Sequence, residues 1–212
     1  MKEPLEILHE SNANRIKIAF IFILIALLNT GCMTFSGARL SDLKPIKPSI
    51  TVSIEESISK DFKFHLDGGG MVTSNKAGRI INDMVLDHWK NQKYISGYKY
   101  VELEKFTETA DYNLTLKGTQ MGKSSVGMQV LSGLTLMIIP HSVKTTYDLE
   151  YVLKNVKTGK TYTSKATDDV SATMWLLFFP AFPFSGLGLA NTIERISEHV
   201  YQDFVKQGAF GL

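Results

Sequence analysis

One cysteine stands among 212 residues, so neither an internal disulfide nor a cysteine-rich metal site is open to this chain. Surplus charge is also scarce: 23 Lys and Arg face 21 Asp and Glu, a formal net charge of +2. With a sequence pI of about 8.5 and scattered lysines, the pattern argues against nucleic acid as a partner. Long apolar runs are missing too. The run Ile18 to Leu28 reaches roughly 16 Å at about 1.5 Å per residue, half of a ~30 Å hydrocarbon core. What is present is core-forming material, 44% hydrophobic and 10% aromatic, which excludes intrinsic disorder and fits one folded domain.

Arg15 and Lys17 precede that apolar run, and Asn29-Thr30-Gly31 closes it before Cys32. Charged, apolar and small segments in this order are those of a secretory signal, which sets residues 1–31 apart as a signal peptide. Processing needs a small residue before the cut and a thiol after it, and Gly31 and Cys32 supply both. LLNTGC resembles the lipobox of bacterial lipoproteins, with Asn29 where a Leu is usual, a departure similar to the looser lipoboxes of spirochaetes. The resemblance implies cleavage between Gly31 and Cys32 and acylation of Cys32, hence a bilayer as partner. Met33, where some bacteria carry a retaining Asp, favours outer-membrane sorting over the inner membrane.

The segment 32–47 is rich in Ser, Gly, Lys and Pro and ends in Lys44-Pro45-Ile46-Lys47, so it reads as a flexible tether. Residues 48–212 read as a single α+β domain. Ile50, Val52 and Ile54 alternate as a first strand, and Asp67-Gly68-Gly69-Gly70 makes a loop. Ile80, Ile81, Met84, Val85, His88 and Trp89 line one face of a helix capped by Ser74 or Asn75. Tyr98 to Glu104 reads as a short strand. Three alternating segments follow, around Tyr112 to Leu116, Val143 to Leu153 and Tyr162 to Val170, the last two joined by a turn at Asn155 to Lys160. Ile193, Ile196, Val200 and Phe204 mark a closing helix that ends near Gly208. The expected architecture is a two-layer sandwich, β-α-β-β-β-β-α, with a mostly antiparallel sheet of about five strands and two packing helices.

Two apolar insertions, near 124–142 and 172–189, interrupt this order without one Asp, Glu, Lys or Arg. Pro140, Pro180 and Pro183 work against spanning helices. Packing into the core and exposure to lipid or a partner are the other two readings. Five aromatics between Trp175 and Phe184 exceed what one helix–sheet interface of this size needs, which favours exposure. If the sheet meanders antiparallel, both insertions emerge at the same end. The residues expected to contact a membrane or partner are therefore Met137, Ile138, Ile139, Trp175, Leu176, Phe178, Phe179, Phe182 and Phe184. In the Val143–Leu153 strand, odd-numbered side chains should face the helices while Lys144, Asp148 and Glu150 face solvent.

Chemistry-bearing motifs are sparse. Lys117 to Ser124 is one residue short of a P-loop, which argues against nucleotide binding. The histidines lack metal-ligand spacing, so no metal or cofactor is expected, and Asp168 and Asp169, adjacent on a strand, point to opposite faces. No Ser sits in a nucleophile elbow. The expectation is a non-enzymatic envelope lipoprotein that binds or assembles through its apolar end, on a membrane, an envelope protein or a second copy of itself. In element order it resembles small α/β lipoproteins of outer-membrane biogenesis. Two alternatives stand beside it, a self-assembling channel or translocation component and a lipid-handling envelope enzyme.

Overall fold

The computed structural model describes residues 32–46, 51–66, 72–107, 109–176, 178 and 185–211. Strands β1 (Cys32–Ser36), β2 (Val52–Ile58), β3 (Lys63–Leu66) and β4 (Val72–Thr73) precede helix α1 (Asn75–Asn91). Then come β5 (Ile95–Tyr100), β6 (Tyr112–Ser124), α2 (Val126–Leu134), β7 (His141–Asn155), β8 (Thr161–Met174) and α3 (Leu187–Lys206). The fold is α+β, with one mixed sheet ordered β1-β8-β7-β6-β2-β5. Alongside the far half of β6 lies β3, with β4 outside it. Eight strands replace the expected five or so: β6, β7 and β8 are longer than their alternating cores, and β1, β3 and β4 arise where no periodicity marked a strand.

Residue parity places the core. On β7, Tyr147, Leu149, Tyr151 and Leu153 are buried against the helices and Asp148 is exposed. On β8 the partners Tyr162, Ser164, Ala166 and Asp168 share that inner face. Ser74 caps α1 by accepting the Ala77 N–H, and Gly78, Ile81, Asn82, Val85, Leu86 and Trp89 form its buried stripe. Ile80, expected in that stripe, is instead 63% exposed, because α1 packs on both the sheet and α3 and the buried arc turns toward Leu86. Trp89 joins the helices: its indole N–H donates to the Ser197 carbonyl at 3.0 Å, and its ring lies edge-on to Tyr201 and Phe204.

Two expectations about the chain path are corrected. Residues 32–46, most of the expected tether 32–47, are no free chain. Cys32–Ser36 pairs antiparallel with β8, Leu40 packs against the core, and the Gln202 side chain donates to the Lys44 carbonyl at 2.8 Å. A free β8 edge leaves backbone groups unpaired, and β1 satisfies them. Secondly, the sheet is mixed in place of the mostly antiparallel one expected: β5 and β6 both run parallel to β2, and β2 starts at the sheet end that carries the 156–160 turn. The proposed strand Tyr98–Glu104 sits early, at Ile95–Tyr100, followed by a 3-10 turn at Glu102–Glu104.

Candidate functional site: an apolar sheet end

Three separate pieces of chain meet at the end of the sheet opposite that turn. β6 ends at Ser124, Ser125 caps α2 by accepting the Met128 N–H, and the chain returns through 135–140 into β7. Across the sheet, His141 pairs with Met174, and Met174 pairs with Cys32, so the last residue of β8 stands between the start of β7 and the sole cysteine. The two apolar insertions touch: the Leu176 N–H donates to the Met137 carbonyl and the Trp175 indole N–H to the Ile138 carbonyl, both at 3.0 Å. Phe178 lies 5.3 Å from the Trp175 ring and 6.2 Å from that of Phe35 on β1.

Among the expected contact residues, Ile138 is 65% exposed, and Met137, Ile139, Trp175, Leu176 and Phe178 are half-buried. Gly31, Phe179, Phe182 and Phe184 lie outside the described residues, as do the signal segment 1–31 and the Asp67–Gly70 loop. The larger share of the surface comes from residues the sequence had not singled out. Val126, Met128, Val130, Leu131 and Leu134 on α2, and Leu136 after it, are all exposed, while the one buried residue of α2 is Ser132. A nine-residue helix whose polar side chains are only Gln129 and Ser132, the second of them buried, offers no charged side to betray which residues face out.

The turn that follows α2 has an uncommon backbone. Leu136 and Met137 adopt φ of 49° and 62°, a left-handed conformation that costs a non-glycine residue roughly 1–2 kcal/mol. Hydrogen bonds compensate: Met137 N–H donates to the Ser132 carbonyl at 2.7 Å, Ile138 N–H to that of Thr135, and the Thr135 hydroxyl to that of Leu131. Strain retained at an exposed apolar turn points to a role for that turn.

A charged clamp sets β1 in place. On the inner face, Asp168 is fully buried and accepts from the Arg195 guanidinium at 2.7 and 3.0 Å and from the Arg39 N–H at 3.0 Å. Arg195 also reaches the Ser36 hydroxyl. On the outer face, Asp169 pairs with Arg39 at 2.6 Å and Lys144 at 2.9 Å. Burial works against its charge, but the Lys144 hydrogen bond and both cations outweigh it and hold the carboxyl below the usual carboxylate range. Burial pushes the Cys32 thiol up, so it has no activated-thiolate character.

Other chemistry finds less support. Residues Lys117 to Ser124 lie wholly in β6, paired to β7 on one side and in part to β3 on the other, an extended strand and not the loop that a phosphate cradle needs. Ser124 Oγ stands 3.3 Å from His141 Nε2, and the Gln129 amide donates to the same hydroxyl at 2.7 Å. Among the described residues the buried Nδ1 of His141 has no partner, so none of them supplies the acid that orients a catalytic imidazole. His88 meets Glu198 at 3.0 Å, and the same carboxylate accepts the Tyr94 hydroxyl at 2.8 Å. Among the described residues, no group of three or more His, Cys, Asp or Glu could hold a metal ion, and no helix is long and apolar enough to cross a membrane.

No family model matches this chain, and no curated protein matches it. Several solved structures do. Protein XCC0632 from Xanthomonas campestris is 10% identical, aligning 85% of this chain with 99% of that one at a TM-score of 0.38. The PelC dodecamer from Paraburkholderia phytofirmans is 9% identical, with coverages of 80% and 98% and a TM-score of 0.35. A neuraminyllactose-binding hemagglutinin homolog from Helicobacter pylori is 10% identical, with coverages of 80% and 91% and a TM-score of 0.33. These overlaps are too shallow to carry an argument about family or function.

Proposed function

We propose that this chain is a non-enzymatic cell-envelope lipoprotein, acylated at Cys32, that works as a binding or assembly module through its apolar end. The observation that carries this reading is convergence: the only cysteine, directly after a signal-like segment, stands in register with the strand ends from which both apolar insertions emerge. Each buried methylene of an acyl chain contributes about 0.8 kcal/mol, so two or more chains on Cys32 suffice for stable anchoring without a basic patch. An exposed apolar surface of this composition marks an interaction site on a soluble domain. Outer-membrane sorting goes with the reading through Met33.

The test is labelling with radioactive palmitate in a bacterium that processes lipoproteins. The wild-type chain should take up label and fractionate with membranes, and Cys32→Ala should accumulate as an unlabelled precursor. Continued labelling of the variant would remove the assignment.

A further inference from the structure

Resting on that acylation, we propose that the bilayer leaflet holding the Cys32 acyl chains is also what covers α2 and the 135–139 turn. Lipid and apolar side chains then enter the membrane at one depth, as a single rigid mount. The argument is one of chain length. A loose tether of about 15 residues would let the domain stand as much as ~50 Å from its lipid. Here no tether intervenes, because Cys32 is itself the first residue of β1 and pairs with Met174, which pairs with His141. Adjacent strands lie about 4.8 Å apart, so the row spans roughly 10 Å across the sheet end, and its members, being direct cross-strand partners, stand at one height along the strands.

The row is also stiff. Thr34 N–H donates to the Ser185 carbonyl at 2.9 Å and Gly37 N–H to that of Asp169 at 2.8 Å, and the Arg39–Asp169 ion pair on one face and the Arg195 contact with the Ser36 hydroxyl on the other hold the same segment. An acyl chain leaving Cys32 for the bilayer therefore draws Leu134, Leu136 and Ile138 to the interface with it. Charge distribution agrees: between Lys123 and Lys144 there is no Asp, Glu, Lys or Arg, and behind the apolar end Lys123, Lys144 and Arg39 outnumber the one carboxylate, Asp169, that Lys144 and Arg39 share, which leaves a net basic rim. The indole of Trp175, half-buried and hydrogen-bonded to the turn, has the amphipathic character of an interfacial anchor.

Depth measurement tests this on the full chain. Leu134→Cys and, at the opposite end, Lys157→Cys replace side chains that are largely exposed, so neither disturbs the core. Each acylated protein is extracted, spin-labelled at the new thiol and reconstituted in vesicles of phosphatidylcholine and phosphatidylglycerol, and the mass of the intact protein establishes whether Cys32 is acylated. The Leu134 label should be severalfold less accessible to a water-soluble nickel chelate, and more accessible to oxygen, than the Lys157 label. Equal accessibility on an acylated protein would overturn the shared depth while leaving the lipoprotein reading intact. A Leu134 label that is wet in vesicles but shielded in native envelopes would assign the end to a protein partner, which also overturns the proposal. Absence of acyl mass would end both readings together.

Discussion

Glu56 shows how far a single residue can sit from its solution behaviour. It lies on β2, fully buried beneath α1, where the Asn82 amide donates to one carboxyl oxygen and the other has no partner among the described residues. Burial foremost, then the neighbouring Asp83 carboxyl, push its pKa from 4.5 to about 8, with Arg79 opposing. Between these two values the folded protein holds a proton that the unfolded chain has released. Stability should therefore fall as pH rises from about 4.5 to about 8 and level off above. In urea titrations Glu56→Gln, which keeps the shape and removes the charge, should flatten that slope and raise stability at pH 8 by on the order of a few kcal/mol. An unchanged slope would mean that the carboxyl is already ionised in the fold.

At the scale of elements, the junction of β1 with α3 decides where the N-terminal cysteine sits. Gly188 lets the first turn of α3 lie on β1, since a Cβ there would run into the Thr34 carbonyl and the Phe35 nitrogen. Gly188→Ala should separate the two at a cost of roughly 1–3 kcal/mol, the usual range for overpacking a closed contact. The loss should be local. Hydrogen exchange of the Thr34 and Gly37 amides should accelerate while the core of α1, tied to α3 through Trp89 and Ser197, keeps its protection. Unaltered protection at those amides would show that β1 is held by the Asp168–Arg195 and Asp169–Arg39 pairs without help from α3.

For the molecule as a whole, asymmetry between the two sheet ends is the main physical fact. One end carries a six-residue polar turn, Asn155 to Lys160, with Lys157 near Asp111 at 3.8 Å; the other carries α2 and two uncharged insertions. An unacylated chain beginning at residue 32 with Cys32→Ser should still partition into vesicles through the second end. Leu134 and Ile138 are 79% and 65% exposed, so Leu134→Ser with Ile138→Ser should leave circular dichroism unchanged. At about 25 cal/mol per Å² the lost apolar area should lower partition roughly tenfold to a hundredfold in a co-sedimentation assay. Equal partition of the variant would place the affinity elsewhere on the surface.

Features written in consecutive residues were legible in the sequence by itself. The alternation of Tyr147, Leu149, Tyr151 and Leu153 determines which face of β7 is inside, because burying the opposite parity would put Asp148 and Glu150 in the core. Ser74 determines where α1 begins by offering an oxygen to an otherwise unpaired N–H. Composition likewise marked the two uncharged insertions, though not which of their residues stand outward on α2. The tertiary structure decided the rest. CMTFS carries no strand signal and became β1 because β8 had an open edge and because Asp168 and Asp169, buried on opposite faces, draw in Arg39, three residues after it, through its N–H and its guanidinium. Ile80 reached solvent because α1 packs on α3 as well as on the sheet, and β6 ran parallel to β2, a direction that no local pattern marks. Local periodicity describes one residue against its neighbours in the chain, whereas edges, buried charges and strand direction are settled by whatever the rest of the chain leaves unpaired.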